Sequence, residues 1–498
     1  MQSRRLSIAA LALAACGSGA SPAKDAAPAS PPTPLTPAPP PPPPEFPAGT
    51  VSLRLTRSAP VRFTPASDGK QIGTIADDTR VAWTQTAKGK GCKRSWVEIA
   101  PRGWVCGDAL EASDRSPSGT ELPRLELGDL VPGTYGKVVD DGALIYKLLT
   151  PEDEKREAKD KKRGKNKGTG PVSAPAEVEP APDADVEVDP TGRKMVPGDP
   201  LLGSVNVRKY GEVTVAGKTY WHIDPRKNEY LLASSIRQHT PSATRGIRLG
   251  DDTGLTLPVA FVWPRGQAQY AWTHGKAIGG GVIRQAPVRE ALPVLEIARD
   301  AKQVPFAVRI GPAEWIDTSA IRLIEAAPPP ALIEPGERWF DVDLDRQVVV
   351  AYEGETAVYV ALTSSGARDT ATEPGIYRVW KKVSETDMRG LSGEDPYAVA
   401  TVPWTQFFSP EKGLALHTAY WHDKFGTPRS HGCLNLAPQD ARWLYFWSDP
   451  WVPPGWSMTA GIVEAPGSIV RVRSAKDPAP PVRGYAIRVQ EARAHGTP

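Results

Sequence analysis

Ser430-His431-Gly432-Cys433-Leu434-Asn435, with Leu416-His417-Thr418 upstream, gathers a thiol and three imidazoles (His417, His422, His431) within 17 residues. A thiolate can attack a carbonyl carbon while an imidazole moves the protons, so this set is the chemical minimum for covalent acyl transfer. Free cysteine, with a pKa of about 8.5, is mostly thiol at neutral pH and needs a neighbouring imidazolium or local dipoles to ionise. The expectation is therefore a thiol held at low pKa by imidazole. Gly432 permits a sharp turn, and the N–H groups near Gly432 and Cys433 could converge on an oxyanion. Asn435 offers an amide to brace that turn. Spacing leaves the identity of the base open among the three histidines. Two blander readings share these residues: a buried core cysteine, and a metal site, although His-x4-His-x8-His-x-Cys fits no familiar zinc module.

The surrounding elements are mainly β. Trp339–Leu344 and Gln347–Tyr352 alternate around Asp345-Arg346 as a hairpin, and Ala357–Leu362 supplies a further strand. Gly413–His417 reads as a buried strand that delivers His417 from a neighbouring element. Pro438 and Asp440 mark a helix start just after the cysteine. Residues 381–398 are polar with Gly390 and Gly393, which suits either a mobile flap or an ordinary surface loop.

The segment 337–462 resembles the catalytic domain of L,D-transpeptidases (the YkuD-like family), whose signature is His, a gap, then Ser/Thr-His-Gly-Cys-x-Asn. Glu373-Pro374-Gly375-Ile376-Tyr377 and Ala400–Phe408 add to the likeness, Glu373 standing where the family usually has proline. The resemblance implies a β-sandwich with a short helix after the catalytic cysteine. It also implies Cys433 as nucleophile, His417 as base, and the Thr418 carbonyl orienting that base. His431, Gly432, Ser430 and Asn435 would then support the site. The implied substrate is the peptidoglycan stem peptide, cleaved with loss of terminal D-alanine and joined to an acceptor amine in a 3–3 cross-link. No metal and no organic cofactor is implied. Candidate substrate-binding residues are Arg429, whose planar fork suits a carboxylate, with Trp404 and Tyr420. Two alternatives stay open: water as acceptor, giving a carboxypeptidase or endopeptidase, and a cell-wall-binding lipoprotein with an inert cysteine.

The chain start reads as an export signal. Arg4 and Arg5 precede an apolar run, and Leu13-Ala14-Ala15-Cys16 resembles a bacterial lipobox in which Cys16 takes the lipid. An ordinary signal peptide with an incidental cysteine is the competing reading. Gly17 follows Cys16 in place of the aspartate that commonly retains lipoproteins in an inner membrane. The expected location is the periplasmic face of a bacterial envelope, anchored by lipid, the outer membrane being favoured. With Cys16 lipidated and Cys433 free, Cys92 and Cys106 are left to form a disulfide on neighbouring strands, unless both stay reduced. A net charge of +3 over 498 residues argues against nucleic acid as a partner.

The expected organisation is a signal peptide over 1–15 and a Pro/Ala-rich tether over 16–48, extended as polyproline II. Residues 49–115 read as a small β-barrel whose Trp96-Val97-Glu98-Ile99 and Gly103-Trp104-Val105 resemble bacterial SH3-like domains. Similar endings mark a second unit over 130–240 and a third copy within 250–327. Inside the second, 151–199 carries blocks of like charge and reads as a disordered insertion. The catalytic domain is expected over 335–465, and the tail 466–498 shows little sign of further core.

Overall fold

The computed structural model describes residues 46–164, 186–390 and 397–496. Cys16, the export signal, Gly393, nearly all of the tether and the middle of the charged insertion lie outside them. Among the described residues one ending recurs three times: strand, strand, 3-10 turn, strand. It runs through Trp96–Ile99, Trp104–Cys106, Gly107–Ala109 and Leu110–Ser113, then through Lys218–Asp224, Glu229–Leu232, Ala233–Ser235 and Ile236–Gln238. The third run is Pro305–Gly311, Glu314–Asp317, Thr318–Ala320 and Ile321–Ile324. The first two strands of each run pair antiparallel. Cys92 and Cys106 are joined by a disulfide, their Cα atoms 5.6 Å apart.

The insertion expected to be disordered over 151–199 is ordered at both ends. Helix α1 (Pro151–Gly164) opens with a reciprocal cap: Thr150 N–H and Oγ1 donate to Asp153, and Asp153 N–H donates back to Thr150 Oγ1 at 3.2 Å. Lys194–Pro200 pairs with Leu144–Leu149. The charge blocks hid both features. Further along the second unit, β1 (Ser204–Lys209) pairs antiparallel with Thr134–Val138.

The C-terminal part comprises β2 (Arg338–Asp343), β3 (Val348–Glu353), β4 (Thr356–Ser364), β5 (Gly375–Arg378), β6 (Lys381–Gly390), β7 (Tyr397–Ser409), β8 (Leu414–Thr418), β9 (Leu434–Leu436), α2 (Pro438–Trp447), β10 (Trp456–Ala460), β11 (Ile469–Arg473) and α3 (Tyr485–Ala494). One sheet runs β4-β3-β2-β11-β5, with β11 parallel to β2. The other runs β9-β8-β7-β6-β10, with β9 parallel to β8. The end of β4 pairs with β9, so one strand serves both layers. Phe340, Val342, Leu416, Leu434 and Val470 are fully buried in the core they share. Alternating apolar residues on each strand supply this core, as a two-layer packing requires.

Two expectations are corrected here. The tail from 466 carries β11, in the middle of the first sheet. Arg471 and Arg473 look like surface charges in sequence, but both pair with Asp341, at 2.7 and 2.8 Å. Neutralised in this way, the charges can accompany Ile469, Val470 and Val472 into the interior. Residues 381–390 are no surface loop: β6 pairs along its length with β7, and polar side chains alternate because one face is wet. Lys382 on β6 is fully buried and donates to the main-chain oxygens of Tyr445 (2.7 Å) and Ser448. It thereby ties β6 to the C-terminal end of α2, where the helix dipole favours a cation. Burial depresses its pKa strongly.

The first two N-terminal units and the segment between the second and third each add a strand to these sheets. Gln71–Ile75 pairs with β10, where a Cβ on Gly73 would meet the Trp456 ring at 2.0 Å. Ile247–Arg248 pairs with β4. From the second unit, β1 pairs in parallel with β7, Ser204 opposite Tyr397 and Asn206 opposite Val399.

Candidate active site

Cys433 ends a braced turn immediately before β9. Ser430 Oγ donates to the Cys433 carbonyl and accepts the Gly432 N–H at 3.1 Å. Thr372 Oγ1 donates to the Gly432 carbonyl at 2.7 Å and accepts from Gly366 N–H at 2.9 Å. Gly432 has φ +123°, and a Cβ there would lie 3.0 Å from Leu414 Cδ2. Only glycine meets both conditions without strain.

The parallel register of β8 and β9 sets Leu416 beside Leu434 and His417 beside Asn435. His417 is 2% exposed, and its Nδ1 donates to the Thr418 carbonyl at 2.9 Å. That bond fixes the tautomer and leaves the Nε2 lone pair for proton transfer. Burial lowers the His417 pKa to about 4, the Thr418 bond opposing it in part. The ring stacks on Trp421, centroids 5.8 Å apart.

The structure distinguishes the three histidines. His417 and His431 line a cavity of about 460 Å³ that also takes in Cys433, Arg429, Trp421 and Tyr397. His422 is not among its lining residues; its Nε2 lies 3.1 Å from the Asn435 side-chain amide, so it braces Asn435. His431 is exposed and stacks on Tyr397, centroids 4.4 Å apart. Of the three, His417 alone combines cavity access with a ring locked by its own main chain.

Cys433 departs from the sequence expectation. Its Sγ lies 3.8 Å from the Gly413 carbonyl, and burial raises the thiol pKa to about 11. A backbone hydrogen bond from Ala415 offsets the rise only in part. Desolvation disfavours the anion on sulfur and the cation on the ring alike, so the resting pair is neutral thiol and neutral imidazole.

Two proposed substrate contacts are also corrected. Trp404 is fully buried in the core shared with Trp456 and Tyr445. Tyr420 is likewise buried, stacked on Tyr135 at 3.9 Å with its hydroxyl donating to the Ala400 carbonyl at 2.7 Å. Neither lines the cavity. Arg429 does, and its guanidinium has no ion pair among the described residues. Trp421, four residues after His417, is the tryptophan that lines the cavity, and in sequence it is legible only as one of a crowd of tryptophans. Asn206 and Ser204 also line the cavity, from the second unit, with no signal in the local sequence.

Residues 337–472 match the YkuD family, the L,D-transpeptidase catalytic domain. This segment is an L,D-transpeptidase catalytic domain. The match extends through nearly all of β11, beyond the boundary at 465 expected from sequence. The chain is 29% identical over 121 residues to "Putative L,D-transpeptidase YciB" of Bacillus subtilis (strain 168). That similarity takes in 22% of this chain and 59% of the relative's length. Among solved structures, the catalytic domain of the E. faecium L,D-transpeptidase is 22% identical, covering 28% of this chain and 98% of that one with a TM-score of 0.22. An L,D-transpeptidase from Mycobacterium smegmatis is 17% identical, covering 48% of this chain and 89% of that one with a TM-score of 0.23. The family match carries the assignment of the L,D-transpeptidase domain.

Proposed function

We propose that this protein is an L,D-transpeptidase that acylates Cys433 with a peptidoglycan stem peptide and passes the acyl group to an amine, forming 3–3 cross-links. One observation carries the reading: a single cavity holds Cys433 on a rigid turn together with a buried, neutral His417 oriented by the Thr418 carbonyl. In the first step the sulfur attacks the carbonyl of the third stem residue while its proton passes to His417 Nε2. The tetrahedral intermediate collapses, the C–N bond breaks, and the leaving amine of D-alanine takes that proton. An acceptor amine then attacks the thioester and loses its proton to the same nitrogen; the C–S bond breaks, and the departing sulfur takes that proton back from His417. Because Ser430 Oγ already holds the Gly432 N–H, the developing oxyanion is left to the Cys433 N–H. One well-placed donor of this kind is worth roughly 3–4 kcal/mol. Arg429 at the cavity suits a stem carboxylate.

The acceptor is a second stem peptide in this reading; an amine on a protein or peptide would serve the same thioester, and water would give hydrolysis. The reading includes a lipid on Cys16 at the periplasmic face of the envelope, supported by Arg4, Arg5 and Leu13-Ala14-Ala15-Cys16. It also includes SH3-like N-terminal units, supported by the threefold recurrence of one strand–strand–turn–strand ending. The test is mass spectrometry of sacculus fragments incubated with the wild type and with Cys433→Ala. A dimer linked through two third-position residues, absent with the variant, supports transpeptidation. Loss of D-alanine without dimer assigns the hydrolase, and identical products with both proteins contradict the proposal.

A further inference from the structure

The catalytic cavity is not built by the catalytic domain alone. Gly203, Ser204 and Asn206 line it as well, and they belong to the second N-terminal unit, more than 130 residues before β2. Three independent contacts hold that unit in place. The parallel pairing of β1 with β7 runs over Ser204–Asn206. Arg208, at the far end of β1, pairs with Glu385 on β6 at 2.5 Å and is itself mostly buried. Tyr135, on the strand next to β1, stacks on Tyr420 within a small core that includes Val399 and Val402 of β7. The cavity wall from this unit is therefore anchored to the catalytic domain by strand pairing at Ser204–Asn206.

Within that wall Asn206 has a defined orientation. It is 6% exposed, and its Oδ1 lies 2.7 Å from Nε2 of His239. The ring therefore donates to Oδ1, and the amide cannot rotate without losing that bond. His239 is itself held by its main-chain N–H, which donates to the Tyr135 carbonyl at 2.8 Å. Asn206 lines the cavity, and with Oδ1 engaged its Nδ2 makes no hydrogen bond to any described residue. A buried amide kept in one rotamer by a second side chain is the arrangement expected of a group that reads a ligand.

We infer that Asn206 is a specificity-determining residue that donates a hydrogen bond from Nδ2 to a carbonyl or carboxylate oxygen of the stem peptide, with His239 as its positioning residue. This deepens the reading given under Proposed function and rests on it for the substrate class. Its physical content is complementarity: a site that offers a fixed donor rejects a ligand lacking the matching acceptor, because the donor would then stay buried and unpaired.

Asn206→Asp separates recognition from mere structure. The carboxylate keeps the size of the amide and still accepts from His239, but it has no hydrogens for a substrate oxygen and adds repulsion. Binding of a stem tetrapeptide is measured by calorimetry on the full chain carrying Cys433→Ala, so that nothing turns over. The expected result is Kd raised at least tenfold by Asn206→Asp and about fivefold by Asn206→Ala, the range set by loss of one hydrogen bond. With Cys433 intact, the loss falls on KM for the donor, with kcat within about twofold and Cys433 alkylated at the wild-type rate. His239→Ala should raise KM as well, and His239→Gln should restore most of it. Wild-type Kd in Asn206→Asp, or a change confined to kcat or to alkylation rate, overturns the inference. Failure of the functional reading shows differently, as a protein with Asn206 intact that neither binds nor consumes stem peptide.

Discussion

The pH dependence of Cys433 reactivity follows from desolvation of its half-buried thiol. Raising the thiol pKa from 9.0 to about 11 makes the thiolate about a hundredfold scarcer at pH 7.5. A more basic thiolate is also more nucleophilic, and a Brønsted coefficient of about 0.4–0.5 returns roughly tenfold of that. Alkylation by iodoacetamide near neutrality should therefore run about tenfold slower than for a thiol of ordinary pKa. The log of the rate should climb with pH and break only near 11. Replacing His417 by Gln, which fills similar space without an imidazole, should leave the break in place, because desolvation and not a neighbouring cation sets it. With stem substrate the acid limb should reflect His417. Its pKa is lowered to about 4, so kcat/KM should hold through pH 6 and fall only as pH approaches 4. A wild-type break below about 8.5 that moves upward in His417→Gln would refute the reasoning. It would show a resting thiolate–imidazolium pair instead.

Asp440 is fully buried, accepts from Gly246 N–H (2.6 Å) and Tyr359 O–H (2.7 Å), and has its pKa raised from 3.8 to about 7 by desolvation. Folded Asp440 keeps its proton over a window where the unfolded chain has lost it, so stability should fall as pH rises from about 4 to 7 and level off above. Asp440→Asn should remove that slope and gain on the order of 4 kcal/mol or less at pH 8 in denaturant unfolding. Trp404→Ala, in the core shared with the first unit, should cost about 3–5 kcal/mol in the same assay while leaving KM for the donor unchanged in the folded fraction. Reduction of Cys92–Cys106, which closes a loop of sequence separation 14, should destabilise the first unit by about 3 kcal/mol, read as a lowered Tm of its calorimetric transition.

Local patterning made the chemistry legible, while long-range partnership stayed hidden. Alternation on Trp339–Leu344 and Gln347–Tyr352, and the Pro438 helix start, specify their elements because the information lies within a few residues. Ser430 to Asn435 marks the turn for the same reason. β11 was missed because Arg471 and Arg473 read as solvent-facing until Asp341, 130 residues earlier, is placed beside them. Trp404 and Tyr420 carry no local mark of which face they occupy, and both pack in clusters to which the N-terminal units contribute. The raised thiol pKa is a property of packing around Cys433, and no spacing between cysteine and histidine encodes it. Asn206 lies beyond the reach of motif reasoning altogether, since it enters the site through a parallel strand pairing between separate units.

The account rests on acyl transfer to the Cys433 sulfur. Intact-protein mass spectrometry of the full chain, quenched during turnover of a stem tetrapeptide without acceptor, tests this directly. The predicted result is a mass increment equal to the tetrapeptide minus D-alanine, mapped to the peptide bearing Cys433 and abolished in Cys433→Ala. It should form much more slowly in His417→Gln. An increment that persists in Cys433→Ala, or loss of D-alanine at wild-type rate in that variant, would contradict the account.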